Sequence, residues 1–339
     1  MRELLEWQKK LQPDILEIMG KRYRILQYLR LMQPVGRRTL AVSLDLSERV
    51  LRTEVTFLKN QGLIMIHPSG MTLSDEGEAL LEGMEPAMKI AFGLEDLEKQ
   101  VAEVLNVEKV IVVSGDSDEY SWVKKELGRA CVQQMKKQIA PGDIIAVAGG
   151  TTLAAVADMV SPSEKWKDAV FVPARGGLGE KVEIQSNTIS STMATKARAA
   201  YRLLHVPDQL SNETRTSLSL EPGIKELLAL IRKAKIVIHG IGEAEIMADR
   251  RETSDGAVQQ IKEKAAVGEA FGYYFDREGH IVHKERTIGL QLNDLNEAQT
   301  VITVAGGSSK AEAISAYMKY RPSNLLITDE GAAKAILNR

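Results

Sequence analysis

After about residue 89, this 339-residue chain settles into a recurrence that leaves few folds open to it. Short apolar runs rich in β-branched residues alternate with longer stretches whose apolar positions recur at helical spacing. The runs are VEKVIVVSG (107–115), DIIAVAGG (143–150), DAVFVPARGG (168–177), AKIVIHGIG (234–242), TVITVAGG (300–307) and NLLITD (324–329). Helical patterns at 118–139, 151–160, 188–204, 223–234, 308–319 and 330–337 accompany them. A strand that is apolar on both faces must be covered on both faces, and strand–helix alternation provides that cover around a parallel sheet. The expected class is α/β, with a Rossmann-like parallel sheet in a domain spanning 89–339. Ligands of such sheets bind beyond the carboxyl ends of the strands, where several of these runs end in glycine pairs.

The first 88 residues follow a different pattern and form a separate expected domain. Helical spacing marks 4–19 and 21–33, and Pro34-Val35-Gly36 punctuates them. A further amphipathic stretch, about 84–105, is expected to be one helix at the domain boundary and a candidate dimerisation element. Net charge over the whole chain is −2, which by itself does not point to nucleic acid. Its distribution does: residues 21–59 hold nine basic side chains against three acidic ones.

Within that basic stretch, 38–44 is expected to be a short helix, Asp45-Leu46 a turn, and Ser47 the cap of a second helix. Val50, Leu51, Val55 and Leu58 would face inward. Ser47, Glu48, Arg49, Arg52, Thr53 and Thr56 would face outward, as in a recognition helix entering the major groove. Arginine bonds guanine bidentately and threonine meets a thymine methyl, so these types suit that face. Arg37, Arg38, Thr39 and Lys59 are the candidate phosphate contacts. Leu63–Ile66, a turn at His67-Pro68-Ser69-Gly70 and Met71–Leu73 make a hairpin of wing size, giving a winged helix-turn-helix.

In the second domain, Ala148-Gly149-Gly150-Thr151-Thr152-Leu153 joins a strand to a helix. Glycines let the backbone approach an anion, and a helix N-terminus offers free amides at a positive dipole end. Ala305-Gly306-Gly307-Ser308-Ser309-Lys310 repeats the arrangement with a lysine. Pro173-Ala174-Arg175-Gly176-Gly177 places an arginine, suited to bidentate phosphate binding, at a third strand end. Asp249-Arg250-Arg251 follows the Gly240-Ile241-Gly242 turn, and Glu269 lies between glycines, apt to accept bonds from sugar hydroxyls. Three junctions in one parallel sheet converge on one crevice, so a small anionic ligand is expected. No metal site or catalytic residue is expected.

The single cysteine, Cys131, excludes an intrachain disulfide and suits a reducing compartment. The charged N-terminus is unlike a signal peptide, and no window approaches the length of a membrane span. A cytoplasmic protein is expected.

The ordered motifs "VAGGTTLAAVADMV", "VPARGGLG", "AAVGEAFGYYFDREG" and "VAGGSSKAEAISAY", following a winged helix, resemble the SorC-type sugar-sensing transcriptional regulators over essentially the whole chain. The resemblance is strongest to those that govern glycolytic operons. It implies a C-terminal domain similar to sugar-phosphate isomerases and glucosamine-6-phosphate deaminase, used as a sensor. It also implies repression of glycolytic genes, relieved by fructose 1,6-bisphosphate or a related phosphosugar. On that resemblance one phosphate would sit on Gly149, Gly150, Thr151, Thr152 and Lys310, and the other near Arg175 and Arg250, with Gln185 and Glu269 assisting. The partners implied are operator DNA, the sugar and further copies of the chain, as dimer or tetramer. An activator remains open, since it would use the same parts. So does an isomerase or deaminase with an appended DNA-binding domain. Against the enzyme, the acid and base that follow the deaminases' Gly-Ile-Gly turn fall here on Ala244 and Ile246, which cannot move a proton.

Overall fold

The computed structural model describes residues 3, 7, 10–177, 181–207 and 212–339, the side chains of Asn212 and Arg215 excepted. Most of the 4–9 stretch and the end of the VPARGGLG motif, Leu178-Gly179, lie outside the described residues. Two compact units divide between Asp96 and Leu97.

The first unit contains α1 (Pro13–Met32), α2 (Arg37–Ser43), α3 (Glu48–Asn60), the hairpin β1 (Ile64–His67) and β2 (Gly70–Leu73), and α4 (Asp75–Ala91). The expected break near Gly20 does not occur. Helix α1 runs through it, because a bare backbone there admits the Phe92 ring; a Cβ would meet it at 3.1 Å. Ser47 caps α3 through a bond from Val50 N, and Ser74 caps α4 by accepting from Gly77 N. The hairpin pairs Ile64 with Leu73 and His67 with Gly70, and Val35 joins it through a single antiparallel bridge to Met71. The single helix expected over 84–105 is two: α4 ends at Ala91, and α5 (Leu94–Leu105) follows Gly93, whose φ of +71° breaks the spiral.

The second unit continues with β3 (Lys109–Val113), α6 (Val123–Gln138), β4 (Ile144–Val147), α7 (Thr151–Met159), β5 (Val170–Pro173), α8 (Ser186–Ala197) and the edge strand β6 (Ala200–Tyr201). Helix α8 stops short of the expected residue 204, since Arg198 adopts a left-handed conformation (φ +58°) and turns the chain into β6. Then follow α9 (Asn212–Leu220), α10 (Pro222–Arg232), β7 (Ile236–His239), β8 (Gly242–Glu243), α11 (Ala244–Arg250), α12 (Asp255–Glu263), β9 (Gly268–Ala270), β10 (Tyr273–Phe275) and β11 (Ile281–Lys284). The chain closes with β12 (Thr300–Val304), α13 (Ala311–Tyr320), β13 (Leu325–Asp329) and α14 (Glu330–Leu337).

Seven strands form one parallel sheet in the order β3-β13-β12-β7-β4-β5-β6. Its central strands are buried along nearly their whole length, as the apolar runs required. From β4 the chain winds outward through β5 to β6; from β7 it winds the other way to β12 and β13. The direction reverses between β4 and β7, and that reversal opens a crevice beyond their carboxyl ends. A second sheet, β11-β10-β9-β8, is antiparallel and has no counterpart in the alternation described above. Its strands are three or four residues long or shorter, too brief for a period of two to show. With α11 and α12 it has its own small core of Ala244, Ala248, Ile261, Tyr274 and Val282.

Candidate functional site

Helix α3 in the first unit has one apolar and one polar face. Leu51, Val55 and Leu58 are buried, while Ser47, Glu48, Arg49, Arg52, Thr53, Thr56 and Lys59 are exposed, as are Arg37, Arg38 and Thr39 on α2. Two inward positions differ from expectation. Val50 is only half-buried, and Glu54 is buried instead, its Oε2 accepting from Arg22 Nε at 2.7 Å. The Arg22 guanidinium also stacks 3.5 Å from the Phe57 ring centre, tying α1 to α3. A lone carboxylate on the inner face is not visible in the sequence without its partner 32 residues away. Thr53 and Thr56 donate their hydroxyl hydrogens to the carbonyls of Arg49 and Arg52, leaving their methyls and oxygen lone pairs outward.

In the second unit a cleft of about 220 Å³ lies at the β4–β7 reversal. Gly149, Gly150, Thr151, Thr152, Arg175, Gln185, Arg250, Glu269 and Lys310 all line it. They come from six places in the chain, and the sheet order brings them together.

The β4–α7 turn is built to receive an anion. Gly150 has φ +121°, a region reserved for glycine, and its N–H is held by Ile184 O at 2.8 Å. A Cβ on Gly149 would lie 2.9 Å from that same carbonyl, so a side chain meets a close contact at Gly149 and backbone strain at Gly150. The conformation aims the first-turn amides of α7 into the cleft, with Thr151 exposed beside them and Thr152 buried.

The β12 turn resembles the β4 turn in sequence but not in chemistry. Gly307 N donates to Asp329 Oδ2 at 2.8 Å, Ser308 N to Asp116 Oδ1 at 3.3 Å and Ser309 N to Asp118 Oδ2 at 2.9 Å. Carboxylates already occupy the amides of this junction. From this junction only Lys310 lines the cleft. Its ammonium has no hydrogen bond or ion pair within 4 Å among the described residues. Burial lowers its pKa, with Lys124 adding to the effect and Asp118, Glu243 and Asp329 opposing it.

The cations of the opposite wall are organised around Glu269. Its Oε1 accepts from Arg251 Nη2 at 2.6 Å and from Gly272 N at 2.5 Å, and Arg175 Nη1 lies 3.9 Å away. All three side chains are buried. One oxygen of the carboxylate expected to meet a sugar hydroxyl thus also holds two guanidiniums in place. Arg251, read only as a neighbour of Arg250, is the more deeply buried of that pair, and its burial depends on the unforeseen second sheet. Arg175 is fixed by its backbone bridge to Gly289.

Between these walls His239, at the end of β7, shapes the Gly240-Ile241-Gly242 turn. Its Nδ1 donates to Gly240 O at 3.0 Å, which leaves Nε2 to accept from Thr303 Oγ1 at 2.8 Å. Burial lowers its pKa to about 4, so the ring stays neutral at physiological pH. Beyond the turn, Ala244 is buried and Ile246 is exposed at the cleft's edge. Four cations and two carboxylates line the cleft, which carries net positive charge and the positive end of a helix.

Comparison with known proteins agrees with both units. Residues 90–338 match the Sugar-bind family of sugar-binding domains, and residues 18–88 match the CggR N-terminal DNA binding domain. The chain is 56% identical over 338 residues to the central glycolytic genes regulator of Priestia megaterium (strain DSM 319 / IMG 1521), covering 99% of each chain. To that of Bacillus subtilis (strain 168) it is 53% identical over 337 residues, again 99% of each. A solved SorC family transcriptional regulator from Enterococcus faecalis superposes with TM-score 0.68 at 47% identity, over 71% of this chain and 99% of that one. The full-length sorbitol operon regulator SorC from Klebsiella pneumoniae shares the fold, with TM-score 0.67 at 19% identity over 96% and 99% of the two chains. These relatives are regulators rather than enzymes, and the chain belongs to the SorC-type sugar-binding transcriptional regulators, in the group of the central glycolytic genes regulators.

Proposed function

We propose that the protein represses glycolytic genes in the cytoplasm and leaves its operator when fructose 1,6-bisphosphate, or a closely related phosphosugar, enters the cleft. The observation that carries this reading is the row of anion-binding groups along four adjacent strand ends. Lys310 follows β12, the Gly-Ile-Gly turn follows β7, the open amides follow β4 and Arg175 follows β5. Four strand ends span roughly 14 Å at the usual spacing of about 4.8 Å. Such a row, with cations on either side of the β4 amides, suits a sugar with two phosphates better than a single phosphate group. One phosphate fits Thr151, Thr152 and Lys310; the other fits Arg175, Arg250 and Arg251, with Gln185 between. Glu269 then serves as the brace of the second phosphate site.

An oligomer on DNA is part of this reading, because one recognition helix reads half a site. The sugar releases DNA only to the extent that it binds the DNA-free arrangement more tightly than the DNA-bound one. The test is calorimetric titration with fructose 1,6-bisphosphate, its two monophosphates and unphosphorylated fructose, with and without operator DNA. The bisphosphate is expected to bind best and to weaken operator affinity. Strengthened operator binding would convert the repressor into an activator, and no response to any phosphosugar would remove the cleft from regulation.

A further inference from the structure

The first unit carries a second cavity, about 460 Å³, lined almost wholly by apolar side chains between α1, the end of α3 and α4. Ile18, Met19, Leu26, Phe57, Leu80 and Met84 are among its walls, and Ile18, Phe57 and Leu80 remain more than a third exposed. An open apolar groove of this size on a small DNA-binding unit is a surface awaiting a partner.

The same chain exposes side chains able to fill it. Ahead of α1, residues 3, 7, 10 and 11 are helical, and the side chains of Trp7 and Leu11 are 64% and 80% exposed. Only Gln12 separates this arm from α1, with φ −146° and ψ 68°, and Pro13 begins the next helix at once. Reversing one helix onto another takes a loop of about 2–5 residues. One residue is too few, so a chain cannot lay its own arm back along the α1 side of its own groove. Charge is complementary as well: the arm ends in Lys9-Lys10, while α1 and α4 bear exposed Glu17 and Glu82.

We infer that the N-terminal arm of one copy docks, Trp7 first, in the α1–α4 groove of a second copy, and that the exchange is reciprocal. Each copy supplies one knob and one hole, the self-complementary arrangement of a two-fold interface. The large aromatic is the anchor, filling a desolvated pocket of the kind that dominates binding energy. Because Arg22 and Phe57 line the groove and also clasp the recognition helix, the docked arm bears directly on α3.

The test uses two full-length variants expressed together, a size-tagged Lys10→Cys chain and an untagged Glu82→Cys chain, treated with a short bismaleimide. Both positions are exposed, both anchors are retained, and the native Cys131 is buried and unreactive. A cross-linked product of mixed mass is expected, and adding Trp7→Asp to the tagged chain should cut its yield at least tenfold. If no mixed product forms, or if it persists undiminished with Trp7→Asp, the inference is overturned. A doubly substituted chain that cross-links only within itself would overturn it equally, by assigning the groove to its own arm.

Discussion

Lys310 is a half-buried cation with no hydrogen bond or ion pair among the described residues, so its behaviour should report directly on the cleft. Replacing it with alanine removes a charge-assisted bond worth about 1.5–3 kcal/mol. Phosphosugar affinity should fall roughly 10–100-fold by the same arithmetic, while operator affinity in the absence of sugar stays unchanged. The pH dependence has a definite sign. Burial disfavours the ammonium, so the free protein loses this proton below the ordinary lysine range; a phosphate beside it raises the pKa again. Between those two values binding takes up a proton, and affinity should decline as pH rises through the window. Calorimetry in buffers of different ionisation enthalpy measures the uptake, and Lys310→Arg, which stays charged, should abolish it.

At Glu269 the expected signature is stability rather than affinity alone. Glu269→Gln leaves two buried guanidiniums without their carboxylate, and breaking such a buried pair costs about 3–5 kcal/mol. A bound anion offsets the same charges, so inorganic phosphate should raise the melting temperature of the variant more than that of the wild type. Equal shifts would show that Glu269 does not balance the anion site. The sequence displayed Glu269 and the arginines but not their pairing, because an ion pair 18 residues apart exists only once β9 and α11 have met.

At the scale of the element, a few helix starts were legible, whereas the boundaries near residues 20, 93 and 204 were not. Ser47 caps where a serine before a periodic stretch should, and the glycine-threonine turn opens α7 as its composition requires. What local pattern could not show is whether an amide at a helix start is open or filled. The β12 turn looked like the β4 turn because the aspartates that fill it arrive from β3's loop and from β13. Similarly, the two-helix outcome around Gly93 was hidden inside one continuous amphipathic period. For α3, Arg52→Ala should weaken operator binding by about 1–3 kcal/mol if its guanidinium meets a base, with sugar binding intact. In α7, Gly150→Ala meets no neighbour within 4 Å, so its cost is backbone strain alone, about 1–3 kcal/mol. The strain should turn the first-turn amides away and weaken phosphosugar binding, with operator affinity in the absence of sugar kept.

Over the whole molecule, the parallel sheet was legible because its strands are buried on both faces, but the order of its strands was not, since no single run carries it. The antiparallel sheet was not legible, being made of strands too short to carry a period. The charge distribution offers the remaining test at this scale. Operator affinity should fall with salt, and each phosphate contact removed, as in Arg38→Ala or Lys59→Ala, should lower the slope by about 0.9. The ion pair of Arg38 with Glu48, 3.8 Å long and fully in solvent, is too weak to alter that expectation.

The aspartates on the β12 turn also suggest how this sensor could be silenced by a single substitution. They act there as permanently tethered anions, keeping a phosphate-like turn satisfied with no metabolite present. Ser186, whose backbone nitrogen and hydroxyl lie 3.4 Å from where a Gly149 Cβ would stand, borders the β4 turn. An aspartate at that position would place a built-in counterfeit of the effector in the socket. On the proposed repressor reading, cells carrying it should express the target operon whether or not they are fed sugar.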